Sequence, residues 1–361
     1  MTARTVIAGC AIATMDAAGA EYADGHLVID GDRIVAAGAG PAPEAVARDA
    51  ARTIDARGCL ATPGLVNCHH HLYQWATRGL AQQATLFEWL TELYPVWAHI
   101  DDEIEWAAAR AGLTALALSG CSTSTDHHYV FPETAEYART RNVRLHTHMA
   151  ETIEEEAFCQ ELFGCRPVEY LEQLGWLGDD VWLAHCVHLS DHEVARFGET
   201  RTGVAHCPSS NARLGAGIAP VVPLVRAGAP VGLGVDGAAS NEAGELSGEL
   251  RQALLVARLR GGPAAMTCAE ALELGTLHGA RCLGRDDELG TLEVGKLADI
   301  VLWRLDDLDH AGIDDPVAAL VLGARPLAHT VIVDGKIVVD GGELRTGDVE
   351  EIARELAEMK L

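Results

Sequence analysis

The sequence predicts an α/β fold: a (β/α)8-type barrel of parallel strands, joined to a small β-domain built from both ends of the chain. Short apolar runs alternate with helical patterns through the middle of the chain, which is the order of successive βα units. Several runs end in histidine or aspartate, and in parallel barrels the chemistry lies at the C-terminal ends of the strands. These ends are residues 69–71, residues 146–148, His185 and Asp236. They are therefore the first candidates for a functional site.

The predicted division places the barrel domain at residues 59–287 and the small β-domain at residues 1–58 and 288–361. Residues 1–58 contain short apolar runs separated by Gly and Asp turns, and similar runs return after the barrel. The last segment, residues 348–361, has apolar side chains at helical spacing. We expect this segment to form a surface helix of the small domain.

The barrel has fewer recognisable strands than a closed barrel requires. Six strand ends can be placed in the sequence, whereas a closed barrel of this type has eight. They lie at His71, residues 125–128, His148, His185, His206 and Asp236. Two strand-helix units are therefore absent from the sequence.

The two absent units would lie where Phe131 and Pro132 are followed directly by a helical pattern that begins at Glu133. Either the chain is shortened at this point, or residues are missing between Pro132 and Glu133. We favour missing residues, because the loss of two adjacent strands would open the edge of a parallel sheet and its core. This interpretation predicts that Pro132 and Glu133 are not covalent neighbours.

Composition limits the classes of partner. The chain carries 27 Lys and Arg against 53 Asp and Glu, a formal net charge of −26, so nucleic acid and anionic membranes are unfavourable partners. No apolar run approaches the roughly 20 residues that span a bilayer. Ten cysteines without a Cys-x-x-Cys pair argue against a disulfide framework. We expect a cytoplasmic protein with a small-molecule substrate, and the sequence leaves open whether it forms a homo-oligomer.

The first strand end has the spacing of a metal site. Side chains alternate between the two faces of a strand, so His69 and His71 point the same way and His70 points the other way. Two neutral imidazoles on one face can hold one zinc-sized ion. Nitrogen and oxygen ligands without thiolates make zinc the first choice of cofactor, with iron(II) as the alternative.

The order of these features resembles that of the amidohydrolase superfamily, and within it the mononuclear metal deaminases that act on purines, pyrimidines and triazines. The resemblance covers nearly the whole chain. Residues 290–301 and 331–336 are also similar to the small β-domain of that family. The nearest branch is that of the 8-oxoguanine deaminases, whose first-strand motif resembles residues 69–74. Related branches process chlorinated or hydroxylated triazines.

The resemblance implies roles for particular residues. The predicted ligands of one divalent metal are His69, His71, His148 and Asp236. Glu151 would move a proton between the metal-activated water and a ring nitrogen, and Asp236 would also accept a proton from the attacking water. His185 would polarise the group at the attacked carbon. His146, two residues before His148, is interpreted as structural, and residues 154–156 as a solvated helix face.

Substrate contacts are predicted at Gln74, His185 and Asn211. A carboxamide can both donate to and accept from the edge of a heterocycle, which suits Gln74 just after the metal pair. An aromatic group follows, and it either walls the substrate pocket or belongs to the core. It consists of Trp75, Phe87, Trp89 and Trp97.

The predicted function is that of a hydrolytic deaminase, in which metal-activated hydroxide displaces ammonia from an aminated aromatic heterocycle. The resemblance makes 8-oxoguanine, which would yield urate, the first candidate. Guanine, isoguanine, cytosine and triazine amines or chlorides are the alternatives. An alternative of another class is a metal-binding scaffold that does not catalyse, since the loss of two strands could remove substrate contacts.

Overall fold

A computed structural model describes residues 4–48, 50–127, 143–324 and 327–359. Strands from both ends of the chain form one nine-stranded sheet, the terminal sheet. Its first strands are β1 (Arg4–Ala13), β2 (Glu21–Asp30), β3 (Arg33–Ala39), β4 (Ala50–Asp55) and β5 (Cys59–Pro63). Its later strands are β12 (Ile300–Arg304), β13 (Ala328–Val333), β14 (Lys336–Asp340) and β15 (Glu343–Leu344). The order is β15-β14-β13-β12-β5-β1-β2-β3, with β4 paired to β1.

The two ends of the chain meet at β5, which pairs in parallel with β1 and antiparallel with β12. Residues 59–63, which the predicted division gave to the barrel, therefore lie in the terminal sheet. The domain division as a whole stays a prediction. The core of the terminal sheet is apolar and includes Ile7, Leu27, Ile300 and Ile332.

The second sheet is the barrel sheet, and it has six strands, all parallel to their neighbours. They are β6 (Leu65–Asn67), β7 (Cys121–Ser124), β8 (Leu145–Met149), β9 (Val181–His185), β10 (Gly203–His206) and β11 (Val231–Leu233). The order is β7-β6-β11-β10-β9-β8. The six predicted strand positions are thus present, and the α/β fold with a parallel barrel sheet is confirmed.

The two outer strands of the barrel sheet are β7 and β8, which are consecutive along the described chain. The predicted pair of absent strand-helix units would lie between them. The junction of Pro132 and Glu133 falls outside the described residues, so the prediction of missing residues stays a prediction.

Most of the helices follow strands of the barrel sheet, and others belong to the segments that form the terminal sheet. Those before β8 are α1 (Glu44–Ala47), α2 (Leu86–Trp97) and α3 (Asp102–Leu118), with a 3-10 helix at Leu72–Thr77. Those between β8 and β11 are α4 (Ile153–Phe163), α5 (Pro167–Gln173), α6 (Asp191–Thr200), α7 (Pro208–Arg213) and α8 (Val221–Ala227). The later ones are α9 (Leu246–Gly261), α10 (Cys268–Gly275), α11 (Leu277–Cys282), α12 (Pro316–Leu322) and α13 (Val349–Glu358). Within the described ranges, none combines the length and apolarity that crossing a membrane requires.

The main core lies between the barrel strands and these helices. Val204 of β10 and Leu233 of β11 belong to the same buried cluster as Leu224 of α8 and Leu250 of α9. The alternate residue Ala205 belongs to a different cluster, with Val66 and Cys68. Alternate side chains of the barrel strands thus pack into two different apolar clusters. Polar groups are therefore carried by the loops at the C-terminal ends of the strands.

Candidate active site

Four strand ends of the barrel sheet bring potential metal ligands to one point. His69 follows β6, His148 lies in β8, His185 ends β9, and Asp236 follows β11. Their ligand atoms all lie within 4.8 Å of one another. His69 Nε2 is 3.2 Å from Asp236 Oδ1, and His185 Nε2 is 3.9 Å from Asp236 Oδ2. Together they offer three imidazoles and one carboxylate.

His71 lies in the same centre. Its Nε2 atom is 3.1 Å from His148 Nε2 and 3.6 Å from Asp236 Oδ1. The structure thus brings together the four residues that the sequence predicted as ligands. His127, which follows β7, forms a second group with His71 and His148 whose ligand atoms also lie within 4.8 Å of one another. His127 and His185 are therefore further neighbours of the predicted ligand set.

Hydrogen bonds behind the imidazoles orient them towards the centre. His71 Nδ1 donates to the carbonyl of His127 over 2.7 Å, which leaves the lone pair on Nε2. His146 Nδ1 donates to the carbonyl of Trp182 over 2.8 Å, so His146 Nε2 accepts from His69 Nδ1 over 2.8 Å. His146 therefore fixes the tautomer of His69, a contact that the structural interpretation of His146 did not foresee.

The charge states of these groups fit a divalent metal. Burial lowers the pKa values of His69, His71 and His148, so all three imidazoles are neutral and able to coordinate. Burial by itself raises the pKa of Asp236. The adjacent ring of His69, with those of His185 and His71 nearby, outweighs that effect and holds the pKa of Asp236 well below its usual range. A set of neutral imidazoles with one ionised carboxylate suits a single divalent metal.

Two serines and a glycine fix the carboxylate of Asp236. Ser210 and Ser240 donate to its Oδ2 atom over 2.6 and 3.1 Å, and the backbone N–H of Gly237 donates to Oδ1 over 2.8 Å. Asp236 itself has a φ of +62°, in the left-handed region that few non-glycine residues adopt. Helix α7, which follows β10, and the loop after β11 thus hold one carboxylate in one orientation.

Glu249 of α9 binds both α7 and the loop after β11 through two hydrogen bonds. Its Oε1 atom accepts from Asn241 Nδ2 over 2.9 Å, and its Oε2 atom accepts from the backbone N–H of Ser209 over 3.1 Å. Burial raises the pKa of this carboxyl to about 7, against the hydrogen bonds from Ser209 and Asn241 that lower it. Sequence reasoning missed Glu249, because a lone Glu on a helix has no distinguishing spacing.

Glu151 is a buried carboxyl beside the cluster. It is 8% exposed, and its Oε1 atom lies 3.6 Å from His185 Nδ1. Burial raises its pKa to about 7, although the charge of His185 lowers it. The carboxylate of Glu155 accepts from the backbone N–H groups of Ala150 and Glu151 over 2.9 and 2.8 Å, which fixes the turn. Glu155 therefore supports the site and is not only part of a solvated face.

A cavity of about 160 Å³ opens over these groups. It is lined by His71, Gln74, Leu86, Trp89, Leu90, Tyr94, His148, Glu151, His185, Leu214 and Asp236. Of the four aromatic residues considered from the sequence, Trp89 lies in this lining, whereas Phe87 is 72% exposed on the surface.

The three predicted substrate contacts differ in position. Gln74 and His185 line the cavity, and Gln74 Oε1 is buried with no hydrogen-bond partner among the described residues. A Cβ atom at residue 237 would lie 1.7 Å from Gln74 Oε1, so Gly237 makes room for that side chain. Asn211 lies behind His185, whose Nδ1 atom donates to Asn211 Oδ1 over 2.9 Å, and it is not part of the lining.

The chain belongs to the amidohydrolase family, whose model matches residues 60–132 and 130–338. With the His/Asp cluster of the barrel, this membership makes the protein a metal-dependent hydrolytic enzyme. The predicted class is thus confirmed, and the alternative of a scaffold that does not catalyse is not supported.

Similar proteins place the chain among the deaminases of that family. An 8-oxoguanine deaminase from Pseudomonas aeruginosa is 39% identical, over 91% of this chain and 93% of that protein. A 5-methylthioadenosine/S-adenosylhomocysteine deaminase from Desulforudis audaxviator is 34% identical, over 94% of each. The crystal structure of an atrazine chlorohydrolase from Arthrobacter aurescens, complexed with zinc, superposes with a TM-score of 0.91 at 29% identity, covering 98% of this chain and 99% of that one.

The comparison with the Pseudomonas protein also concerns the two strand-helix units that are absent from this sequence. The alignment with the Pseudomonas protein runs over 420 residues, although this chain has 361. The relative therefore carries segments that this chain lacks. The two parts of the family match meet at residues 130–132, next to the junction of Pro132 and Glu133.

Proposed function

We propose that this enzyme is a hydrolytic deaminase that releases ammonia from a bare aminated heterocycle, with 8-oxoguanine as the first candidate. One observation carries the proposal: a buried carboxyl, Glu151, shares a small cavity with the His/Asp cluster. Such a pairing of an acid-base group with a metal centre is what the hydrolysis of a ring amine needs. The similarity to an 8-oxoguanine deaminase supports the choice of substrate.

We assign the metal to His69, His71, His148 and Asp236. Zinc is the first choice, because the donor set is nitrogen and oxygen without thiolate and because the structural relative holds zinc. A divalent metal in this position lowers the pKa of a coordinated water and so supplies the nucleophile at neutral pH. His185 and His127 lie beside this set.

Glu151 takes the role of proton carrier. A carboxyl with a pKa of about 7 is able to accept a proton and to donate one at neutral pH. It would hold the proton on its carboxyl oxygen and deliver it to the ring nitrogen next to the amine-bearing carbon. Asp236, ionised and fixed by Ser210 and Ser240, would accept the second proton and orient the nucleophile.

His185 and Gln74 position the substrate. The hydrogen bond from His185 Nδ1 to Asn211 turns His185 Nε2 towards the centre, where it can polarise the group at the attacked carbon. The unpartnered Oε1 atom of Gln74 offers an acceptor for a ring or exocyclic N–H. Asn211 thus acts on the substrate through His185.

The size of the cavity favours a bare base over a nucleoside. Its volume of about 160 Å³ lies below the range of roughly 300–1,000 Å³ that holds drug-sized ligands. Trp89, Leu86 and Leu90 give it apolar walls that suit a flat ring. A triazine is the second candidate, because a zinc-containing atrazine chlorohydrolase has the same fold over 98% of this chain.

The test is the release of ammonia by the metal-loaded protein from a panel of heterocycles. The panel contains 8-oxoguanine, guanine, isoguanine, cytosine and 5-methylthioadenosine, and atrazine is assayed for chloride release. We expect the highest kcat/KM for 8-oxoguanine and the lowest for the nucleoside. Release of ammonia from none of these compounds would contradict the proposed activity, and preference for the nucleoside would contradict the argument from cavity size.

Two matched variants test the role of Glu151. Glu151→Gln should lower turnover about a hundredfold or more with metal content nearly unchanged, because a positioned acid-base group contributes on that scale. Glu154→Gln, at an exposed position on the same turn, should leave turnover near normal. Near-normal turnover of Glu151→Gln would show that the proton carrier is another group.

A further inference from the structure

A second cavity of about 340 Å³ lies on the helix side of the barrel sheet. It is formed by the end of β10 and by helices α8 and α9 with the residues that follow α9. Strand alternation places His206 on the same face of β10 as Val204, which packs in the core shared with α8 and α9. This cavity shares none of its lining residues with the catalytic cavity.

His206 forms the buried end of this cavity. It is 2% exposed, and neither of its ring nitrogens has a hydrogen-bond partner among the described residues. Burial lowers its pKa to about 3, so the neutral ring presents one N–H donor and one acceptor. Buried polar groups are nearly always paired in native proteins, and an unpaired one destabilises the fold. An occupant that both donates and accepts would satisfy this ring.

Two arginines form the exposed end of the cavity. Arg226 of α8 and Arg260 of α9 are exposed lining residues in a chain of net charge −26. Within the described part of the chain, neither forms an ion pair, and Arg260 donates to the carbonyl of Ile218. Two unneutralised guanidinium groups at one opening attract an anion, and their planar donors match a carboxylate.

The wall between the two ends is apolar. It is formed mainly by Ala219, Val221, Val222, Val256, Ala257 and Ala265. Alanine and valine side chains leave room for a flat or short apolar body, and the volume lies near the lower limit for small-ligand pockets of roughly 300 Å³.

We propose that this cavity is a binding site for a small carboxylate with an apolar body and a polar group at its far end. Arg226 and Arg260 hold the carboxylate, the alanine and valine wall contacts the body, and His206 pairs with the far polar group. The proposal does not depend on which heterocycle the enzyme deaminates, because the two cavities are separate.

Calorimetric titration of the metal-loaded protein with 4-hydroxybenzoate tests the proposal. This probe carries a carboxylate, an aromatic body and a hydroxyl that both donates and accepts. We expect saturable binding, with 4-hydroxybenzyl alcohol and acetate each at least tenfold weaker, because one lacks the charge and the other lacks the body. Absence of binding at millimolar probe, or equal binding of acetate, would overturn the proposal.

Variants locate the bound probe. Arg226→Ala and Arg260→Ala should each raise the Kd about tenfold, the scale of a lost charge-assisted hydrogen bond. Arg251→Ala is the matched control, since Arg251 is an exposed arginine of α9 outside the lining, and it should leave the Kd within about twofold. Ala257→Leu, which fills the cavity, should remove binding. A Kd unchanged by both Arg226→Ala and Arg260→Ala would place the probe elsewhere and overturn the proposal.

Discussion

The terminal sheet and the C-terminal rim of the barrel sheet are both buried, but they bury different chemistry. The core of the terminal sheet is formed by apolar side chains such as Ile7, Leu27 and Ile332. The rim buries Glu151, Asp236 and Glu249, and with them His69, His71 and His185. One region stabilises the chain through apolar burial, and the other holds titratable groups away from water.

More non-glycine residues have a positive φ at the rim than in the terminal sheet, where Met15 and Asp334 lie between strands with φ values of +56° and +52°. At the rim, Ala150, His185, Cys186 and Asp236 have φ values of +48°, +70°, +49° and +62°. Each non-glycine residue with such a φ destabilises the folded state by roughly 1–3 kcal/mol. Strain of this kind concentrates at functional sites. The rim therefore holds a functional geometry at the expense of stability, and the terminal sheet and the helix core supply the free energy that maintains it.

The largest effect expected at the rim comes from Asp236→Asn. Removal of the only carboxylate in the predicted ligand set should lower metal affinity more than about hundredfold and abolish turnover, because even residues behind the ligands contribute ten- to hundredfold. Metal analysis after dialysis measures it. Asp334→Asn is the matched control in the terminal sheet, because Asp334 has a φ of +52° but belongs to neither group of potential metal ligands found among the described residues. Full metal content in the Asp236 variant would contradict the assignment.

The converse effect is expected from Leu27→Ala in the terminal sheet. Leu27 is fully buried, so its truncation should lower the free energy of unfolding by about 2–5 kcal/mol. Metal content and turnover of the folded protein should stay unchanged. Urea unfolding and metal analysis on the same samples measure both quantities. A drop in metal affinity would show that the two regions are coupled.

The sequence predicts the part of the rim that follows from local patterns along the chain. The His-x-His pair at His69 and His71, and the strand ends at His148 and Asp236, follow from local patterns, since parallel strands must bring their ends together. The six strands were predictable for the same reason, because each is a short apolar run followed by a helical pattern.

The groups that hold the ligands were not predictable. Ser210, Ser240 and Glu249 reach Asp236 or its loop through single hydrogen bonds that span 26, 4 and 8 residues of sequence, with no common spacing. The periodic patterns of helices and strands in a sequence do not indicate such contacts. The bond from His69 to His146 is of the same kind, because two adjacent histidine pairs give no sign of which rings touch.

Glu151→Gln should raise the free energy of unfolding of the metal-free protein, whereas Leu27→Ala lowers it. The expected effect is smaller than that of Leu27→Ala. Burial raises the pKa of Glu151 from 4.5 to about 7, so the folded wild type binds a proton more tightly than the unfolded chain. The contribution of this carboxyl to the stability of the fold is therefore fully present below pH 4.5 and is lost as the pH rises through about 7. The variant cannot ionise and should escape this loss, which is worth about 3 kcal/mol.

Urea unfolding in the presence of a chelator, at several pH values between 4 and 8, measures this difference. The variant should exceed the wild type in stability at pH 8 and approach it at pH 4. An identical pH dependence for the two proteins would show that Glu151 is not strained by its burial.

The smallest of these effects is expected from His146→Phe. Phenylalanine keeps a ring stacked on Trp182, where the centroids lie 4.5 Å apart, but it cannot accept the hydrogen bond from His69. Metal affinity should fall about ten- to hundredfold, as it does when a partner behind a ligand is lost. Competition with a chelator measures the affinity. An unchanged affinity, with the fold intact, would return His146 to a purely structural role.

Anomalous diffraction from crystals of the zinc-loaded protein tests the assignment of the metal ligands, because it locates the metal without reference to activity. We predict one peak per chain, at about 2.0–2.2 Å from the Nε2 atoms of His69, His71 and His148 and from a carboxylate oxygen of Asp236. A peak farther than about 3 Å from any of these four residues, or held instead by His127 or His185 in place of one of them, would contradict this assignment.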